Sequence, residues 1–148
     1  SEQAMLRTRE QSSPLDALGT VVSAEGLRDM IEVMRSVFVS RAIEQYAVAI
    51  VQATRNDPEL RLGASPRATL QLVRAAKAWA ALDGRDFVLP DDIDALAIPV
   101  LCHRLLPVTR VSGRGERMGD TAVADIVRRI VAATTVPLGA VGAPSSGA

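Results

Sequence analysis

Lysine, cysteine and histidine each occur once in these 148 residues, and each scarcity excludes a class of chemistry. The lone lysine, Lys77, lies in Ala76-Lys77-Ala78. A phosphate-cradling Walker A loop needs G-x-x-x-x-G-K-[ST], so the chain has none. One Cys (Cys102) and one His (His103) exclude an internal disulfide and a Cys/His zinc cluster, and no metal site is expected. A Ser-His-Asp triad would have to use His103, and nothing like G-x-S-x-G appears. Aromatics make up 3% of the chain, which leaves an aliphatic core as the available kind. No uncharged apolar run approaches the roughly 20 residues that span a bilayer. The N-terminus lacks a basic segment followed by an apolar one. These two absences predict a cytoplasmic protein with no membrane span. Seventeen basic residues balance 17 acidic ones, so net charge gives no reason to expect nucleic acid as a partner.

What is present favours helix. Hydrophobic residues make up 48%, and alanine, the strongest helix former, occurs 23 times. Residues 1–11 read as a short helix broken by Ser12-Ser13-Pro14. Ser23 is a candidate N-cap for a helix with Leu27, Met30, Ile31 and Met34 on one face, ending near Ser36. Ser40 opens another, with Ile43, Ala47, Ile50, Val51 and Thr54 on one side and Asn56-Asp57-Pro58 as its stop. In Gly63-Ala64-Ser65-Pro66-Arg67, Ser65 can cap and Pro66 suits the first helical position. That helix runs to Leu82, with Thr69, Leu72, Val73, Ala76, Trp79 and Ala80 as its stripe. Trp79 is expected in the core, and Gly84 in a left-handed closing position. Phe87-Val88-Leu89 reads as extended. Pro90 starts a helix with Ile93, Leu96, Ala97, Val100 and Leu101 buried, which Pro99 should kink or split in two. Residues 108–120 read as a loop, and Thr121 to about Thr134 as a last helix using Val123, Ile126, Val127, Ile130 and Val131. Residues 137–148 have no hydrophobic pattern and are expected to form a disordered tail. The fold class is therefore all-α: a five- to six-helix bundle over residues 1–136 with one short extended segment.

Arg67 breaks a local rule. It occupies the first turn of its helix, where the partial positive charge disfavours a cation. A docked phosphate would reverse that penalty, because the helix N-terminus and the guanidinium fork would then stabilise one anion together. A solvated arginine there costs only a few tenths of a kcal/mol, so spacing alone leaves both readings open.

The residues around Arg67 carry a resemblance. Leu62-Gly63-Ala64-Ser65-Pro66-Arg67-Ala68-Thr69-Leu70, with Arg74-Ala75-Ala76-Lys77-Ala78-Trp79-Ala80, closely resembles the lid domain of MoxR-type AAA+ ATPases. So do Gly84-Arg85-Asp86-Phe87-Val88-Leu89-Pro90-Asp91-Asp92-Ile93 and Val100-Leu101-Cys102-His103-Arg104-Leu105. With Val37-Phe38-Val39-Ser40 and Ala53-Thr54-Arg55, the likeness covers about residues 2–108. The family pattern commonly has Thr where this chain has Leu89, which weakens one helix cap by about 1 kcal/mol.

The resemblance implies that Arg67 is the second sensor, which reads the γ-phosphate of ATP and couples hydrolysis to lid motion in cis or in trans. Arg67 and Ser65 would then border the nucleotide, with Arg67 catalytic. It implies a lid that follows a missing α/β core bearing Walker A and Walker B, and the helix-like start Glu2-Gln3-Ala4-Met5-Leu6-Arg7 fits a cut just after that core. ATP and Mg²⁺ would belong to the parent protein, and the chain alone should neither bind nucleotide tightly nor hydrolyse it. Implied partners are the protein's own core, neighbouring subunits in a hexameric ring, a von Willebrand factor A-type protein, and client proteins that are remodelled or matured. The competing reading is a standalone helical module that binds protein or DNA. Arg55 and Arg61 read as a solvated rim beside the site, and Cys102 and His103 as a small buried thiol next to a surface imidazole. The Arg104, Arg110, Arg114 and Arg117 run reads as a solvated loop, and five acids between Asp83 and Asp94 as a weak docking patch.

Overall fold

Hydroxyl caps open the first two helices. In the computed structural model, which describes residues 19–108 and 120–137, helix α1 (Ala24–Ser36) starts where Ser23 Oγ accepts the Gly26 N–H at 3.0 Å. Helix α2 (Arg41–Asn56) starts where Ser40 Oγ accepts the Ile43 N–H at 3.3 Å. Each oxygen satisfies a donor that the first turn leaves unpaired. Helix α3 (Pro66–Leu82) begins after Ser65 and closes at Gly84, whose φ of 73° lets the Arg85 N–H return to the Ala80 carbonyl at 2.9 Å. Helix α4 (Pro90–Leu101) is followed by a 3-10 turn over Cys102–Arg104, and α5 is Asp120–Ala133.

Pro99 does not split its helix in two. Helix α4 continues through it and then tightens into the 3-10 turn, where Arg104 Nε donates to the Val100 carbonyl at 3.0 Å. Pro99 has no N–H to offer the Ala95 carbonyl, so it costs the helix one bond without dividing it. A two-stranded antiparallel sheet that the sequence did not suggest joins β1 (Leu60–Leu62) to β2 (Leu106–Pro107). Strands of three and two residues are too short to show alternation. The extended segment at Phe87 does form, as a parallel bridge to Phe38. The expected helix at 1–11, most of the 108–120 loop and all but the first residue of the 137–148 tail lie outside the described residues.

Two compact units divide the chain, Ser1–Glu32 and Val33–Ala148, with the boundary inside α1. In the first, the apolar stripe of α1 forms as its spacing predicts, yet Leu27, Met30 and Ile31 are exposed and no residue of α1 is buried. In the second, α2 to α5 enclose an aliphatic core that includes Ile43, Ile50, Leu72, Ile93, Leu101 and Val127. Helix α3 contributes Ala68, Leu72, Ala76 and Ala80, an unbroken i, i+4 line. Three alanines in that line let α4 approach closely, and α3 with α4 is the main helix pair of the bundle. Trp79 is not in the core: it is 47% exposed. It lies beside the buried line of Ala68, Leu72, Ala76 and Ala80, not on it.

The one tyrosine fastens α2 to α4. Tyr46 is 2% exposed, and its hydroxyl donates to Asp94 Oδ1 at 2.6 Å. Burial, the bond to Asp94 and the charges of Asp94 and Asp91 together push its pKa well above the ordinary 10.0. The folded state therefore keeps a proton that the unfolded chain releases. This contribution to stability is complete below pH 10.0 and is lost as pH rises from there toward the folded value. Urea melts over the alkaline range should show stability falling just above that pH, and Tyr46→Phe should flatten the fall.

Candidate functional site

The segment that carries Arg67 is held by the last turn of α2. Thr54, fully buried, accepts the Ala64 N–H on Oγ1 at 2.9 Å and donates the same hydroxyl to the Val51 carbonyl at 2.7 Å. Arg55 Nε donates to the Ala64 carbonyl at 2.7 Å. Both backbone polar groups of Ala64, itself 1% exposed, are thereby paired with adjacent side chains of one helix. Gly63 makes this approach possible. A Cβ at that position would stand 2.5 Å from the Thr54 carbonyl oxygen and 2.6 Å from Arg55 N and Cα. Backbone cannot yield as a side chain can, so only glycine fits.

Beyond Ala64 the chain has little freedom. Ser65 is extended (φ −73°, ψ 161°), as a residue before proline must be, and Pro66 fixes its own φ. The predicted cap does not form: Ser65 holds the N-cap position, but its hydroxyl makes no capping bond. At this exposed helix start its oxygen makes no hydrogen bond among the described residues. Arg67 is exposed in the first turn and has no hydrogen bond or ion pair among the described residues. One turn further along, Gln71 Oε1 is buried without a partner among those residues. Arg55 is a structural fastener as well as a rim residue, whereas Arg61 is simply exposed.

The second sequence block sits at the other end of α3. Helix α3, 17 residues and about 25 Å long at 1.5 Å per residue, puts Arg67 at one end and this block past the other. Arg85 grips Asp92 with both nitrogens, NH2 to Oδ1 at 2.6 Å and NH1 to Oδ2 at 2.8 Å, and also reaches Asp83 and the Phe87 carbonyl. Asp92 is 3% exposed, and its Oδ2 also accepts the Leu89 N–H at 2.8 Å. The Leu89 departure from the family pattern thus costs only half of a reciprocal cap, because the carboxylate half is intact. Val37 and Phe38 dock here too: the Phe38 N–H donates to the Asp86 carbonyl at 2.7 Å, and Val88 N–H to Phe38 O at 3.0 Å. This block is a loop brace remote from Arg67. It also reduces the expected acidic patch, since Asp83 and Asp92 serve Arg85, and Asp94 serves Tyr46.

Among the other candidates, Cys102 is half-buried and His103 is exposed. They border a cleft of about 390 Å³ with Ile98, Pro99, Val123 and Ala124. No group of acidic, Cys or His side chains among the described residues could hold a metal ion. No helix among them is long and apolar enough to cross a membrane. Arg104 is tied to Val100, and Arg110, Arg114 and Arg117 lie outside the described residues.

A helical unit, four helices among the described residues, with a fixed, arginine-bearing helix start defines a class. The family model for the AAA lid domain matches residues 52–130, over half of the chain, and the chain belongs to that family. Within it, this is a lid of the MoxR type of AAA+ ATPase. The chain is 36% identical over 95 residues to Chaperone MoxR1 of Mycobacterium tuberculosis, covering 58% of this chain and 25% of that protein. It is 37% identical over 137 residues to the uncharacterized protein YeaC of Bacillus subtilis, covering 93% of this chain and 41% of YeaC. The chain thus spans less than half the length of these relatives. A crystal structure from Cytophaga hutchinsonii, of a protein assigned as an ATPase, superposes with a TM-score of 0.70 at 26% identity. That match covers 92% of this chain and 42% of the other.

Gly63 and Gly84 should differ in what they tolerate. Gly84→Ala meets no neighbour within 4 Å but must hold a positive φ, which costs about 1 kcal/mol. Gly63→Ala forces a methyl into backbone and should cost about 3 kcal/mol or more. Chemical denaturation of the two variants beside the parent chain measures the difference.

Proposed function

We propose that this lid couples ATP binding and hydrolysis on an AAA+ core to chaperone-like remodelling or maturation of client proteins, with Arg67 as the residue that meets the γ-phosphate. The observation that carries the reading is the state of Arg67: exposed, without a protein partner among the described residues, and on a rigidly anchored helix start. A guanidinium in that place faces an unfavourable helix dipole until an anion arrives. The chemistry of the donor set fits a nucleotide phosphate, since Arg67 offers a bidentate fork and Ser65 a hydroxyl not engaged in capping. ATP with Mg²⁺, held on the core, supplies the transferring phosphoryl group. Arg67 then contributes a positioned positive charge, which lowers the barrier by stabilising charge that builds on the phosphoryl oxygens.

The remaining parts of the reading follow from family membership and from the name of one relative, a chaperone. The lid would adjoin an α/β core that precedes it, work in a hexameric cytoplasmic ring, and act with a von Willebrand factor A-type partner on its clients. In the complete ATPase that carries this lid, Arg67→Ala should lower ATP turnover at least roughly tenfold, while circular dichroism and thermal melting stay as in the parent. Turnover equal to the parent's would make Arg67 a solvated surface residue and remove the proposal's main support. The 148-residue chain alone, assayed beside it with Mg²⁺, should show no ATPase activity.

A further inference from the structure

We infer that Thr54 and Arg55 are positioning residues for Arg67: the last turn of α2 sets where the sensor arginine stands, through the two backbone groups of Ala64. This rests on the reading of Arg67 given above. Thr54 Oγ1 holds the Ala64 N–H at 2.9 Å, and Arg55 Nε holds the Ala64 carbonyl at 2.7 Å. The grip is bilateral, so the peptide units on both sides of Ala64 are fixed. Gly63, against the backbone of the same two residues, removes the remaining slack on the N-terminal side.

From Ala64 to Arg67 there are only two intervening residues, and neither has a freely adjustable backbone. Pro66 has a ring-locked φ, and Ser65 before it is confined to the extended region that it occupies. The first helical bond, Ala68 N–H to Ser65 O at 2.9 Å, then sets the turn on which Arg67 sits. An error in the orientation of Ala64 is therefore passed to the Arg67 Cα without a joint to absorb it. The end of α2 and the start of α3 move as one body, and Arg67 goes with them. Displacing a charge from a developing phosphoryl charge by even about 1 Å can cost orders of magnitude in rate, with little effect on ground-state binding.

The test uses the complete ATPase, with kcat and KM for ATP measured separately. Thr54→Val keeps the shape and removes the hydroxyl, and Arg55→Ala removes the second grip from an exposed side chain. Each should lower kcat roughly five- to tenfold with KM changed less than about twofold. Thr54→Ser, which keeps the hydroxyl, should restore kcat to near the parent value. In an Arg67→Ala background, neither Thr54→Val nor Arg55→Ala should lower kcat further, because the residue that they position is gone.

Full additivity in those double variants, or a parent-like kcat in Arg55→Ala where Arg67→Ala is slow, overturns the inference and leaves the reading of Arg67 intact. A parent-like kcat in Arg67→Ala overturns both. If Thr54→Val does not fold, the Arg55→Ala cycle alone decides the matter.

Discussion

A missing side chain governs how this lid is put together around its functional end. At Gly63 the chain runs so close to the end of α2 that any Cβ would meet main-chain atoms of Thr54 and Arg55. That approach lets two side chains of α2 reach both polar groups of Ala64, and it brings the start of α3 under their control. A single close contact thus converts two helices joined by a nine-residue connection, Asp57 to Ser65, into a fixed elbow. Loops ordinarily carry function at the expense of order. Here the loop before α3 is short of freedom at every residue from Gly63 to Pro66, by close approach, hydrogen bonding, pre-proline restriction and ring closure in turn.

Helix α3 is the strut between two arginines with opposite duties. At its start, Arg67 is left unpaired among the described residues. Past its end, Arg85 is fully engaged by a nearly buried carboxylate. Removing one partner of such a pair strands a charge, so the Arg85–Asp92 brace favours one loop conformation more than it adds net stability. The line of Ala68, Ala76 and Ala80 with Leu72 serves the same strut, because small side chains allow a short interhelical distance and lose little rotamer entropy on burial. A core this poor in aromatics can be stable because it is closely packed, not because its side chains are large.

Much of this was legible in the sequence, for reasons that differ by residue. Ser23 and Ser40 announced their helices, and Gly84 its left-handed turn, because caps and positive φ depend on local chemistry alone. Ile43, Ala47, Ile50, Val51 and Thr54 fell inside as their spacing required. Periodicity failed at Trp79, which borders the buried line of Ala68, Leu72, Ala76 and Ala80 without lying on it. It also missed the sheet of β1 and β2, which depends on a partner more than 40 residues away. The lid family was recognisable from its blocks, yet the blocks alone did not reveal their division of labour. That Thr54 and Arg55 hold the Gly63-Ala64 turn, while Arg85 and Asp92 brace a loop at the opposite end, is a matter of three-dimensional contact. A threonine and an arginine in the last turn of a helix, shortly before a Gly-x-Ser-Pro-Arg start, were the available signal.

The outward turn of Trp79 leaves the chain with two well-separated optical reporters. Its one tryptophan stands about half in water on the flank of α3, and its one tyrosine is sealed between α2 and α4. Indole emission moves to shorter wavelength when water is excluded, whereas the phenol absorbs differently once it ionises. The first therefore reports on whatever comes to cover the side of the strut, and the second on the integrity of the bundle's interior. Covering of the lid and unfolding of the lid are thus spectroscopically distinct in the native sequence, without a label.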